Sequence, residues 1–173
     1  MRKKRPSPRE STAHHEAGHA IVAHHLGCYV DFCTIEATES YKGLAFRSKG
    51  LRQTFRGAVD YNSRERPEDI LLPDQLTHLY AGVVAQRLLC TKRGVSSKRV
   101  RLGLDIRQAR NIVRSFPIKE RIELLNAAEK HATELLAITQ NWQKLERIAA
   151  ELLKHGHLEG LVLELLLEEN LFD

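Results

Sequence analysis

Apolar residues recur at helical spacing along most of this chain. In the stretch 75–89, Leu76, Leu79, Tyr80, Val83, Val84 and Leu88 fall on one side, and that period predicts a helix. After Asp105 the spacing returns with Ile106, Ala109, Ile112, Val113 and Phe116, and Pro117 limits the extension of that helix. A third amphipathic run, 120–139, carries Ile122, Leu125, Ala128, Ala132, Leu135 and Leu136. Asn141 can cap a further helix bearing Trp142, Leu145, Ile148, Ala149 and Leu152, closed by Gly156. A last short helix is expected near 159–168, with Val162, Leu165 and Leu166.

The first third of the chain is patterned differently. Residues 1–10 are basic and contain Pro6 and Pro8, and read as a disordered arm. Ser11 or Thr12 is expected to cap a first helix that runs to about Leu26, with Gly27 in the position that ends helices. Gly18 lies inside that helix at a cost of about 1 kcal/mol against alanine. A glycine there signals that another backbone passes close by. Tyr29, Val30, Phe32, Thr34 and Ile35 form a β-rich run, and Leu44–Arg47 reads as a second short strand. Residues 49–73 lack a period and read as a long loop. The expected fold is mainly α with a small β-sheet after the first helix, one domain over 11–173.

Composition adds three constraints. No apolar run approaches the ~18 residues of a spanning helix, and no hydrophobic segment follows the basic start, so neither a membrane span nor a secretory signal is expected. Cys28, Cys33 and Cys90 form no C-x-x-C pair, which favours reduced thiols and a cytoplasmic setting. Charge is uneven: residues 1–116 carry 21 Lys/Arg against 11 Asp/Glu, and 117–173 carry 6 against 11. A basic region can attract nucleic acid, but aromatic residues for base stacking are few, so a solvated basic surface is the preferred reading.

The chemistry concentrates in His15-Glu16-Ala17-Gly18-His19, an H-E-x-x-H pattern inside the first predicted helix. Histidines four apart lie one turn from each other on one face, so their imidazoles can share a metal ion. Glu16 lies about 100° round from His15, where its carboxylate can take a proton from water beside the metal. His25 stands where one class of zinc peptidase places a third histidine, but Val22 replaces the glycine that lets the chain turn. On an unbroken helix His25 is about 240° from His19, so it is rejected. Glu36 and Glu39, 17 and 20 residues beyond His19, and Asp105, 86 beyond, stay open as third ligands. Taken alone, an Asp at the start of a helix is a plain N-cap.

His15-Glu16-Ala17-Gly18-His19-Ala20 resembles the zinc motif of the C-terminal peptidase domain of FtsH-type membrane-bound proteases. Leu79-Tyr80-Ala81-Gly82-Val83-Val84-Ala85-Gln86 is similar to that family's L-x-A-G-R-A-A-E helix, with Val83 and Gln86 in place of Arg and Glu. Asp105-Ile106-x-x-Ala109-x-x-Ile112-Val113 resembles the segment whose Asp is the third zinc ligand, and the Leu-rich tail follows the closing helices, so the likeness spans about 11–168. The resemblance implies a helical zinc-peptidase fold. It implies Zn²⁺ on His15, His19 and Asp105, Glu16 as the catalytic base, and an extended peptide added to an edge strand at Gly43, Leu44, Ala45 and Phe46. The ATPase module and membrane segments of that family are not in this chain, so cleavage of flexible or unfolded segments is expected, or delivery by an unfoldase in trans.

Other readings differ in class. One is a metal-stabilised interaction module without peptidase activity, against which Glu16 argues. Another is a nucleic-acid-associated regulator built on the basic arm and the 91–101 loop. A third is a peptidase of the repressor-cleaving type, which would use Glu36 or Glu39. His14, His24, His78, His131, His155 and His157 are expected on other faces, at the surface or at boundaries, and Leu161–Leu167 in end-cap packing, with an oligomer interface as the alternative.

Overall fold

A computed structural model describes residues 4–36, 58–61 and 71–168. Among them the chain forms α1 (Pro8–His25), β1 (Val30–Thr34), β2 (Ala58–Tyr61), α2 (Leu72–Lys92), α3 (Leu104–Ile112), α4 (Ile118–Ala137), α5 (Thr139–His155), β3 (His157–Glu159) and α6 (Gly160–Glu168). A single 3₁₀ turn, Ser97–Arg99, joins α2 to α3. The fold is mainly α with a small antiparallel sheet, as the periodicity requires. No helix among the described residues is long and apolar enough to cross a membrane.

Helix α1 begins earlier than expected. Ser7, not Ser11 or Thr12, is the cap: its hydroxyl accepts the Glu10 N–H and the Glu10 carboxylate accepts the Ser7 N–H, with Pro8 in the first turn. This Ser-x-x-Glu box satisfies two otherwise orphaned donors. Residues 8–10, assigned to a disordered arm, are therefore helical. Their neighbours are tied down too: Arg5 Nη2 donates to the Ser96 carbonyl at 3.1 Å, and Arg93 pairs with Glu10. The predicted close of α1 is seen, with Gly27 at φ +71°.

Two strands depart from expectation. Within the stretch read as a loop, β2 pairs antiparallel with β1, Cys33 opposite Val59. The other side of β1 pairs with β3, Cys33 opposite Leu158, giving the order β2-β1-β3. Three residues are too few for a period-2 pattern to show, so β3 left no signal. The expected strand at 44–47 lies outside the described residues. Asn141 does not cap α5, which starts at Thr139; instead its amide donates to the Leu135 carbonyl at 2.9 Å.

The centre of the molecule is α1, packed against α2 and α5, with α4 behind α2. Nearly every residue from Ala13 to Ala23 is buried, so α1 has no solvent face along its middle and no amphipathic stripe. Its alanines meet Leu79, Val83 and Val84 of α2 and Leu145, Ile148 and Leu152 of α5 in one continuous core. Each fully buried leucine there contributes about 1.5–3 kcal/mol relative to exposure. Gly18 explains the close approach: a Cβ on it would stand 2.9 Å from the Ala81 carbonyl oxygen and 2.7 Å from Ala85 Cβ. Helix α6 buries Leu163 and Leu167 and leaves Leu161 and Leu165 exposed. All three cysteines are buried, and none forms a disulfide.

Candidate metal centre

Helices α1 and α2 run antiparallel, and their facing rows meet residue by residue. Gln86 Nε2 donates to the Ser11 carbonyl at 3.2 Å. Gly82 faces His15, and the His78 ring lies 4.7 Å, centroid to centroid, from that of His19. Positions 78, 82 and 86 are four apart, so they form one row down α2. The sequence-based reading put His78 at the surface or a boundary; it is buried, because α1 covers that row. The absent side chain at Gly82 leaves room for the His15 imidazole, since a Cβ there would stand 2.4 Å from His15 Cε1.

Asp105 arrives from a third direction. Gly103 caps α3 without a side-chain bond, and Asp105 is the second helical residue rather than the cap. Its carboxylate reaches the α1 histidines. Asp105 Oδ2 is 3.0 Å from His15 Nε2 and 3.7 Å from His19 Nε2, and the two Nε2 atoms are 3.2 Å apart. Among the described residues this is the group of three or more His, Cys, Asp or Glu whose ligand atoms converge, all within 4.8 Å. Glu36 does not join it; Glu36 is exposed at the end of β1, its carboxylate against Gly156. His25 is exposed, as its helical phase requires. Glu39 and the Gly43–Phe46 strand lie outside the described residues.

The donor set suits a zinc ion. Two imidazole nitrogens and a carboxylate oxygen aim at one point. Both Nδ1 atoms are buried without a hydrogen-bond partner. If the rings carry their protons there, both Nε2 lone pairs face each other and the carboxylate, and a cation between them removes the repulsion.

Without an ion the charges couple the three side chains. Burial opposes the charged form of His15, but the hydrogen bond to Asp105 and the nearby Glu16 charge outweigh it and raise its pKa above the ordinary value. Burial likewise pushes Asp105 up, and the hydrogen bonds and charges of His15 and His19 more than reverse this, holding it well below the usual carboxylate range. Glu16 is buried, and loss of solvation raises its carboxyl to about 7 despite the two histidines. Burial keeps His78 neutral, its pKa well below the ordinary imidazole value. A cavity of about 190 Å³ opens onto the group, lined by Thr12, His15, Glu16, Gln86, Arg101, Gly103 and Asp105. The sheet borders the site, since the Glu16 charge adds to burial in raising the Cys33 thiol.

Four residues of this site were not singled out for it from the sequence: Gly82, Gln86, His78 and Arg101. The first three carried a usable signal, a four-residue repeat of non-aliphatic positions within an apolar helix. Arg101 carried none. No protein-family model matches the chain, and no curated protein matches it.

Proposed function

We propose that the protein is a zinc-dependent endopeptidase acting on flexible or unfolded protein segments. The observation that carries this reading is the convergence of His15, His19 and Asp105 on one point, with the buried Glu16 carboxylate lining the same cavity. The motif resemblance to FtsH-type peptidase domains supports the same assignment of residues.

His15 and His19 would hold the ion through neutral Nε2 atoms, and Asp105 through Oδ2. When bound, zinc supplies Lewis acidity, which polarises a scissile carbonyl and lowers the pKa of water. Glu16 takes a proton from the attacking water onto its carboxylate and returns it to the leaving amine nitrogen. A carboxyl near neutrality can do both at the same pH. Gly82 and Gln86 keep the His15 ring in place, the first by leaving it space and the second by packing beside it. An extended peptide paired to an edge of the sheet would be held by main-chain hydrogen bonds, which give loose sequence preference. Gly43, Leu44, Ala45 and Phe46 are the residues proposed to meet the peptide, with an unfoldase in trans as a proposed partner.

The test combines zinc analysis with casein hydrolysis. Glu16→Gln is expected to keep zinc and lose hydrolysis, and Asp105→Ala to lose both. An unchanged hydrolysis rate in Glu16→Gln removes the proposed base; normal zinc content in Asp105→Ala removes the third ligand.

A further inference from the structure

The metal cavity does not end at Asp105. Thr12, Gln86 and Arg101 line it and also line a second cavity of about 440 Å³, so the two adjoin. The second space lies between the start of α1 and the 96–101 loop, and Arg5, Arg99 and Arg101 all border it. No Asp or Glu lines it. The nearest α1 carboxylate in sequence, Glu10, is engaged by Arg93 and by the Ser7 cap. Among the described residues, Arg99 and Arg101 form no ion pair. Arg5 is held in place by its bond to the Ser96 carbonyl, which joins the two walls. Three guanidinium groups with a helix start beside them make a positive recess next to the catalytic carboxylate.

We propose that this recess is a subsite for a carboxylate of the peptide substrate, within a residue or two of the cleaved bond. The inference rests on the peptidase reading and adds a substrate class to it: acidic segments, bound by charge-assisted hydrogen bonds from Arg99 and Arg101. The carboxylate can be a Glu or Asp side chain or the substrate's C-terminus. Both present the same planar anion to the guanidinium fork.

The zinc-loaded Glu16→Gln protein serves for binding and the zinc-loaded wild type for cleavage. The probes are fluorescent Ala/Leu decapeptides with one central Glu or Gln, each made with a free and an amidated C-terminus. The Glu peptide should bind at least about tenfold tighter than the Gln peptide, an advantage that falls with salt. In the Arg99→Gln/Arg101→Gln background the ratio should fall to near one, with circular dichroism reporting the fold. Where that double variant does not fold, Arg99→Gln alone, on an exposed side chain, should lower the ratio. A preference kept after amidation assigns the site to the side chain. A preference for the free terminus, whatever the central residue, assigns it to the C-terminus. Equal binding of all four peptides, or a preference that survives loss of both arginines, overturns the proposal. Cleavage by wild type without binding preference sinks the subsite alone. Preferential binding without cleavage sinks the peptidase reading and, with it, the place beside a cleaved bond, leaving only a carboxylate-binding recess.

Discussion

Gly82→Ala tests the site through a single added methyl. Its Cβ would stand 2.4 Å from His15 Cε1 and 2.5 Å from both Nδ1 and Nε2. Carbon contacts settle at about 3.5–4.0 Å, so the ring must retreat by about 1 Å or more. Metal–ligand lengths tolerate only about 0.2 Å. If His15 ligates zinc as proposed, it is lost as a ligand, and zinc affinity should fall by about 100-fold or more. At zinc equal to 100 times the wild-type dissociation constant, the ion stabilises the wild type by about 2.7 kcal/mol. After a 100-fold loss, only about 0.4 kcal/mol remains. At 2–4 °C per kcal/mol for a chain of this size, the zinc-induced rise in Tm shrinks by roughly 5–9 °C. The metal-free protein behaves otherwise. Alanine gains about 1 kcal/mol of helix propensity against an overpacking cost of about 1–3 kcal/mol, so the metal-free variant loses up to about 2 kcal/mol, a loss that the zinc-induced shift does not include. The buried Trp142, the chain's one tryptophan, reports unfolding by fluorescence, and competition with a chromophoric chelator gives the affinity. A zinc-induced shift equal to that of wild type would refute the placement of His15 against Gly82.

Gly18→Ala should lower Tm with or without zinc, because the new Cβ meets the Ala81 carbonyl at 2.9 Å and a backbone atom cannot step aside; a raised Tm contradicts the close packing of α1 on α2. In metal-free protein the His15–Asp105 pair should stabilise the fold most between the ordinary carboxylate value of 3.8 and the ordinary imidazole value of 6.5. Below that window Asp105 is protonated as pH falls through its depressed pKa, and above it His15 loses its proton as pH rises through its raised pKa. The Tm gap between wild type and Asp105→Asn should therefore peak there without zinc. With zinc it should instead grow as pH rises, because ion and proton compete for the imidazoles. A gap independent of pH in both states argues against the pair. Cys33 is buried in the sheet, and burial lifts its thiol well above its ordinary pKa, so a charged thiol reagent should reach Cys33 promptly only after denaturation. Rapid labelling of Cys33 in the native protein contradicts its place in the sheet.

What the sequence determined was local or periodic. The 3.6-residue spacing announced α2 to α5 because their buried residues repeat within each helix. His15 and His19 share a face by helix geometry alone, and Gly27 and Gly156 both take positive φ where the chain leaves a helix. The mid-helix Gly18 announced a close neighbour, and α2 is that neighbour. Asp105 was reached only through family resemblance, since its own surroundings in sequence read as a cap.

Tertiary structure alone decided the rest, because it depends on pairings between distant segments. The row His78, Gly82, Gln86 became part of the site only when α2 lay antiparallel on α1; in isolation His78 is one polar residue on an apolar helix. Sheet order depended on His157–Glu159, too short to show a pattern, returning to β1 across the whole chain. The arginine recess depended on the loop before α3 folding back over the start of α1. Sequence spacing could name the two histidines and the glutamate beside them. The carboxylate that meets them and the charge beside it came from helix packing, which places residues 86 positions apart within 3.7 Å.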